Sequence, residues 1–128
     1  MDAISDAIET VATQVVDAGL QVHAALGHGL LESVYEHCLA HEIGSRGLSV
    51  ERQVQVPVSY KGTFLDAGFR LDLLVASRVV IEVKALDALL PIHQAQLMTY
   101  LRLSGHRVGF LMNFNVKLFK TGVRRLVM

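Results

Sequence analysis

Cysteine is almost absent from this chain, since Cys38 is the only one among 128 residues. A single cysteine excludes an intrachain disulfide and a thiolate metal cluster, and its apolar helical surroundings predict a small core residue. No apolar run approaches the roughly 20 residues that a membrane span requires. The first six residues are acidic and lack the basic and apolar pattern of a secretory signal. We therefore expect a cytoplasmic protein that does not engage a membrane.

Acidic residues are scarce in the second half of the chain, where none follows Asp87. Eight of the 12 acidic residues lie at or before Glu51, whereas 11 of the 12 basic residues lie after it, although the net charge is zero. A basic C-terminal half favours contact with a polyanion, and a homodimer that pairs the acidic and basic halves is the alternative. The hydrophobic content of 52% and the mean hydropathy of +0.40 also favour self-association.

Apolar periodicity divides the chain into helical and extended segments. It predicts helices over residues 4–26, 30–43 and 91–104, strands over residues 48–60, 63–75, 79–84 and 106–113, and a last hairpin over residues 117–127. This order, ααβββαβ plus a C-terminal β-hairpin, predicts an α/β protein with a mixed sheet flanked by helices. No linker or repeat interrupts it, so we expect one domain over residues 1–128.

Charged residues interrupt two predicted strands that otherwise consist of apolar core residues. Asp72 lies in the second strand, and Glu82 and Lys84 share one face of the third. If the two strands are neighbours, these groups converge at one end of the sheet. Burial of isolated carboxylates costs several kcal/mol each, so such a site needs a basic partner or a metal ion. Mg²⁺ or Mn²⁺ would suit these oxygen ligands, and a structural ion pair across the hairpin is the alternative.

Two predicted helices carry polar residues that could face the same site. Glu32 lies in the first turn of the second helix, where the helix dipole favours an anion, and Tyr35 follows one turn later. In the third helix, a polar stripe contains His93, Gln96 and Tyr100. A Gln or Tyr beside a charged site can orient water or hold a ligand carboxylate. For both helices, a solvent-exposed flank is the alternative.

Several motifs along the chain resemble those of a known protein family. Residues 29–35 (GLLESVY) look like the signature of the small bacterial GxxExxY proteins. Asp72 together with residues 82–84 (EVK) resembles the core motif of the PD-(D/E)xK nuclease superfamily, and residues 96–100 (QLMTY) match a pattern of its RecB-like branch. The resemblance covers about residues 22–127, and further similar stretches are residues 60–62, 69–75 and 111–114.

The resemblance implies a restriction-endonuclease-like core and a metal-dependent nuclease whose substrate is DNA, with RNA as the less favoured choice. It implies that Mg²⁺ or Mn²⁺ is bound by Asp72, Glu82, the Val83 carbonyl and Glu32. It also implies that Lys84 positions or activates the attacking water. Accessory residues beside the site would be Gln96 and Tyr100.

The sequence departs from the superfamily at one position, because Leu71 replaces the proline of the superfamily's name. That position is not a metal ligand, so the predicted metal site is intact. A catalytically silent binding or assembly module on the same fold stays open, because 128 residues leave little surface beyond a bare core to grip a duplex. A small-molecule phosphodiesterase is a third hypothesis, supported only by the absence of net positive charge.

Overall fold

The computed structural model describes residues 3–128, apart from the side chain of Ala67. The helices and strands follow the predicted order, and most bounds agree within two residues. The elements are α1 (Asp6–Leu26), α2 (Glu32–Ser45), β1 (Val50–Tyr60), β2 (Thr63–Val75), β3 (Val79–Lys84), α3 (Pro91–Ser104), β4 (Val108–Asn113), a 3₁₀ helix (Phe119–Gly122) and β5 (Val123–Val127).

The five strands form one sheet in the order β1-β2-β3-β4-β5. Strands β3 and β4 are parallel and are joined by α3, whereas the other neighbouring pairs are antiparallel. A parallel pair needs a long crossover, which the helix supplies. The mixed sheet flanked by helices confirms the predicted α/β fold and is consistent with a restriction-endonuclease-like core.

The predicted C-terminal hairpin is wrong in its first strand. Residues 119–122 form the 3₁₀ helix, and only β5 is extended, pairing with β4. Phe119 is buried against Phe114, with ring centroids 5.3 Å apart, so this segment packs into the core instead of forming a strand. Gly122 permits the close passage, because a Cβ there would lie 2.2 Å from the Asn113 carbonyl oxygen.

Two apolar clusters lie on opposite faces of the sheet. Helices α1 and α2 cover one face through residues such as Val15, Leu39 and Ile43. Helix α3 covers the other face through Leu97 and Leu101. The sheet is therefore buried on both sides along β3 and β4, and these strands position any polar group that they carry in a low-dielectric setting.

Helical spacing in the sequence predicts a buried stripe of Leu31, Val34 and Cys38 in the second helix, and the buried face of α2 differs from it. Leu31 is 75% exposed and Val34 is 37% exposed. The fully buried residues are Tyr35, Leu39 and Ile43, at spacings of four. The large ring of Tyr35 buries more surface than Val34 would, which rotates the helix toward the sheet on that side.

The β1–β2 hairpin twists where it leaves the rest of the sheet. Strand alternation predicts that Leu71 and Leu73 share a face. This is wrong, because Leu73 packs on the α1–α2 face and Leu71 packs on the α3 face. Gln53, opposite the intervening residue Asp72, has a φ of +53°, which interrupts the regular ladder. Farther along the hairpin the register shifts between Val56 and Val58, at Pro57, a residue type that favours a bulge or an edge strand.

Among the described residues, no helix has both the length and the hydropathy needed to cross a bilayer.

Candidate active site

Asp72 and Glu82 face each other where β2 and β3 separate. The last regular pair between these strands is Leu73 with Ile81, and Asp72 and Glu82 occupy the next position. Their side chains replace the missing backbone bonds. The Asp72 amide N–H donates to Glu82 Oε2 at 2.8 Å, and the Val83 amide N–H donates to Asp72 Oδ2 at 2.9 Å. The two carboxyl groups predicted to converge are therefore brought together.

Burial and neighbouring negative charges make this carboxyl pair hard to ionise. Burial, and next the charge of Asp72, raise the pKa of Glu82 to about 8. The pKa of Asp72 is also raised, mainly by burial, although the hydrogen bond from Val83 opposes that shift. Strongly perturbed carboxyl pKa values in a polar cluster are typical of functional sites. A nearby cation would reverse both effects.

Lys84 is the nearest cation on the sheet itself. It lies two residues after Glu82 on the same strand face and is half-buried. Its positive charge lowers the pKa values of Asp72, Glu82 and Glu32, and in each case other effects outweigh it. The predicted grouping of an ammonium with the two carboxylates is therefore present in the fold.

Glu32 approaches the pair from the other layer, as the first residue of α2. Its side chain is largely exposed, yet partial burial and then the charge of Asp72 raise its pKa. Within residues 3–128, no three side chains of His, Cys, Asp or Glu form a cluster that could hold a metal. The charge of Asp72 thus acts on Glu32, but in this conformation Glu32 does not complete a three-residue metal site with Asp72 and Glu82.

A buried tyrosine anchors the loop that precedes Glu32. The Tyr35 hydroxyl donates to the Gly27 carbonyl at 2.7 Å and accepts from the Leu30 amide at 3.1 Å, while its ring stacks on Phe114. The Gly29 amide also donates to Asn115 Oδ1 at 3.1 Å. These contacts fix the backbone that leads into α2, so Tyr35 acts as a positioning residue for Glu32.

Tyr35→Phe should lower the free energy of unfolding by about 1–2 kcal/mol, because two polar backbone groups lose their partner. Chemical denaturation monitored by circular dichroism measures this change. The matched control is Tyr60→Phe, since Tyr60 is 63% exposed at the hairpin tip and its loss should leave the midpoint unchanged. Equal midpoints for the Tyr35 variant and the wild type would contradict the anchoring role.

Within the polar stripe of α3, Tyr100 lies near the two carboxyl groups. Tyr100 stacks on Phe69 with ring centroids 4.3 Å apart, and its pKa is raised by burial and then by the charges of Glu82 and Asp72. Gln96 is exposed, and His93 Nδ1 accepts from the Leu90 amide at the helix N-terminus. The stripe therefore divides into one residue near the carboxylates, one exposed residue and one helix cap.

Sequence reasoning missed three polar residues beside the pair. Glu36 is 6% exposed and accepts from Arg52 and Gln53, each at 2.8 Å. Gln53 also approaches Asp72 Oδ1 at 3.5 Å. A signal was present, because Arg52 breaks the strand alternation and Glu36 lies one turn after Glu32. The hydrogen bonds from Arg52 and Gln53 to Glu36 depend on the packing of α2 against β1, which the sequence does not show.

The pair has free oxygen atoms that fit a divalent cation. Glu82 Oε1 accepts no hydrogen bond from the residues that the structure describes, and Asp72 Oδ1 has only the long contact to Gln53. Since the N–H and C=O of one residue point to the same side of an extended strand, the Val83 carbonyl also points toward Asp72. Such hard oxygen donors are those that Mg²⁺ and Mn²⁺ prefer.

Comparison with protein families supports this assignment. The family model described as the PD-(D/E)XK nuclease superfamily matches residues 9–126, which include every polar residue described above. A search of curated proteins and a search of solved structures each found no match. Members of the superfamily are usually nucleases and generally use divalent metals, which supports nuclease-like chemistry on nucleic acid. Because the match covers nearly the whole described chain and the fold agrees with it, the chain belongs to the PD-(D/E)XK nuclease superfamily.

Proposed function

We propose that this protein is a divalent-metal-dependent nuclease that hydrolyses phosphodiester bonds in DNA. The observation that carries the proposal is the reciprocal bonding of Asp72 and Glu82 at the point where β2 and β3 separate. Two carboxylates buried side by side are costly in the absence of a cation, and neither is needed to complete an apolar core. Their retention at one strand end is best explained by metal binding.

In this proposal the metal is held by Asp72, Glu82 and the Val83 carbonyl. When bound, a divalent cation neutralises charge on the phosphate and promotes deprotonation of the attacking water. Asp72 and Glu82 are oriented for that task because backbone amides hold one oxygen of each carboxylate in place. Gln53 of β1 approaches Asp72 and is itself held by a hydrogen bond to Glu36 of α2.

The remaining polar residues act around that centre. Lys84 positions the attacking water and stabilises negative charge that develops on the phosphate. Glu32 holds water, or contributes a metal ligand after a small movement of its exposed side chain. Tyr100 and Gln96 contact the substrate from α3, with Tyr100 the nearer of the two to the carboxylates.

Finer assignments rest on the sequence motifs. We propose membership of the bacterial GxxExxY proteins and the RecB-like branch, from residues 29–35 and 96–100. DNA is preferred to RNA as substrate on the same resemblance. The cytoplasmic location and the homodimer stay predictions. A homodimer agrees with the exposed apolar side chains at the start of α2, namely Leu31 just before the helix and Val34 in its first turn.

The direct test is cleavage of single-stranded and duplex DNA, and of RNA, with Mg²⁺, with Mn²⁺ and with EDTA. We expect cleavage only with metal, and a loss of roughly 10²–10³-fold for Lys84→Met. Lys61→Met is the matched control, since Lys61 lies at the exposed hairpin tip. Cleavage that survives EDTA, or that Lys84→Met leaves intact, would exclude the proposed mechanism.

A silent binding module is the second candidate function, and the lack of a three-residue metal cluster among residues 3–128 favours it. Calorimetric titration of Mn²⁺ separates the two. The nuclease predicts binding that requires Asp72, whereas the silent module predicts neither heat of binding nor thermal stabilisation by metal.

A further inference from the structure

A polar cavity lies beside the candidate active site, between the β3–α3 loop and the β4–β5 connection. Its volume is about 240 Å³, and its polar lining comes from Asp87, Asn113, Thr121 and Arg124. Asn113 is 1% exposed. Its Oδ1 accepts from the Leu86 amide at 2.9 Å, and its Nδ2 donates to the Leu86 carbonyl at 3.0 Å. Asn113 therefore forms a wall of the cavity whose polar atoms are already hydrogen-bonded, and the charged groups of the lining are those of Arg124 and Asp87.

The guanidinium of Arg124 is oriented by its own turn. Nη1 donates to the Thr121 and Val123 carbonyl oxygens, each at 2.9 Å. A guanidinium carries five N–H donors in a planar fork, so Nη2 and Nε remain available. Among the residues described, Arg124 has no carboxylate within ion-pair distance, in contrast to Arg125, which pairs with Glu9. An oriented guanidinium with free donors is suited to a phosphate oxygen.

Strand register places this guanidinium next to the carboxylate pair. Glu82 pairs with Leu111, and Leu111 pairs with Arg124, so the side chains of Glu82 and Arg124 share one face of the sheet. Neighbouring strands are about 4.8 Å apart, which puts the two backbones roughly 10 Å apart. Lys84 pairs with Asn113 of the cavity wall. Strand register therefore places the cavity residues Asn113 and Arg124 beside the strand that carries Glu82 and Lys84.

The charge around the cavity is also suited to a polyanion. Lys117 and Lys120 are exposed in the same β4–β5 connection, and Asp87 is the one acidic residue that lines the cavity. We propose that this cavity binds a backbone phosphate of the nucleic acid next to the one that is cleaved, with Arg124 as its ligand. This inference rests on the proposed function, because it takes the substrate to be nucleic acid.

Binding without metal tests the cavity independently of hydrolysis. Fluorescence anisotropy with labelled single-stranded and duplex oligonucleotides in EDTA gives Kd at several salt concentrations. We expect Arg124→Gln to raise Kd roughly tenfold for every sequence and to reduce the salt slope by about one. Arg102→Gln is the matched control, since Arg102 is exposed near the end of α3 and lies toward the start of β4.

A second variant keeps the test decisive if Arg124→Gln fails to fold. Asp87→Asn removes the only carboxylate of the cavity lining and should tighten binding about twofold to threefold. Unchanged Kd and salt slope in both variants, or no oligonucleotide binding by the wild type, would overturn the phosphate site. Arg124-dependent binding without any cleavage would keep the site and reject the nuclease, so the two failures are distinguishable.

Discussion

Asp72→Asn is expected to abolish cleavage of nucleic acid while leaving the folded protein at least as stable as the wild type. The variant keeps an oxygen that can accept the Val83 amide, so the local backbone contact survives. It removes a negative charge beside Glu82, and that charge contributes to the raised pKa of Glu82. Activity should fall by roughly 10³-fold or more, because a metal ligand and its charge are lost.

Two measurements on one preparation test this expectation. Cleavage with Mg²⁺ reports activity, and thermal unfolding in EDTA reports stability. Asp66→Asn makes the same chemical change on the same strand at an exposed position and should alter neither. A large loss of stability in Asp72→Asn would instead make Asp72 a structural residue, and retained cleavage would remove it from the active site.

Glu82→Gln should reduce the pH dependence of stability that the wild type shows without metal, and the raised pKa values of Asp72 and Glu32 account for the part that remains. Glu82 holds its proton up to about pH 8 in the folded protein, whereas its ordinary pKa is 4.5. Between these values the folded state binds more protons at Glu82 than the unfolded chain does, so the contribution of Glu82 to stability is largest below about pH 4.5 and falls as pH rises toward 8. The variant lacks this titration, so its free energy of unfolding should exceed that of the wild type by roughly a few kcal/mol toward pH 8.

Urea denaturation at pH 4.5, 6 and 8 in EDTA measures the effect. Glu51→Gln is the control, since Glu51 is exposed and its replacement should preserve the wild-type slope. Added Mn²⁺ at pH 8 should stabilise the wild type and not Glu82→Gln. Parallel pH profiles for the wild type and Glu82→Gln would show that Glu82 ionises normally in the folded protein.

In both predictions, a substitution that removes the site's chemistry increases the stability of the metal-free protein. We expect the carboxyl pair of Asp72 and Glu82 to lower the free energy of unfolding of the metal-free protein, so that neutral residues at these positions would make it more stable. Tyr35 has the opposite character, because its hydroxyl bonds stabilise the fold and also place Glu32. A survey of variants should therefore separate residues that support the site from residues that form it.

The element order was predictable because each segment carries its own periodicity. Pro91 begins α3 and Gly105 ends it, and Lys61 with Gly62 makes the hairpin turn, so these bounds depend on local chemistry. The 3₁₀ helix at residues 119–122 was missed because Phe119 is held by contacts with Phe114, which no local pattern encodes.

The site was predictable in its residues and less so in its arrangement. Asp72 and Glu82 stood out as charges within apolar strands, and Lys84 followed from alternation. Gln96 was grouped with Tyr100 by helical spacing, yet the structure leaves Gln96 exposed. Helical spacing gives a shared face, but the distance of that face from the carboxylates depends on how α3 packs.

The sequence by itself determined which residues carry charge inside strands and in what order helices and strands occur, because burial cost and periodicity are local properties. Only the tertiary structure decided that β2 and β3 separate at Asp72, that Glu36 and Gln53 support it, and that Arg124 lies on the face of Glu82. Strand register and hairpin twist arise from contacts distant in the chain, and these contacts bring the separate charges into one groove.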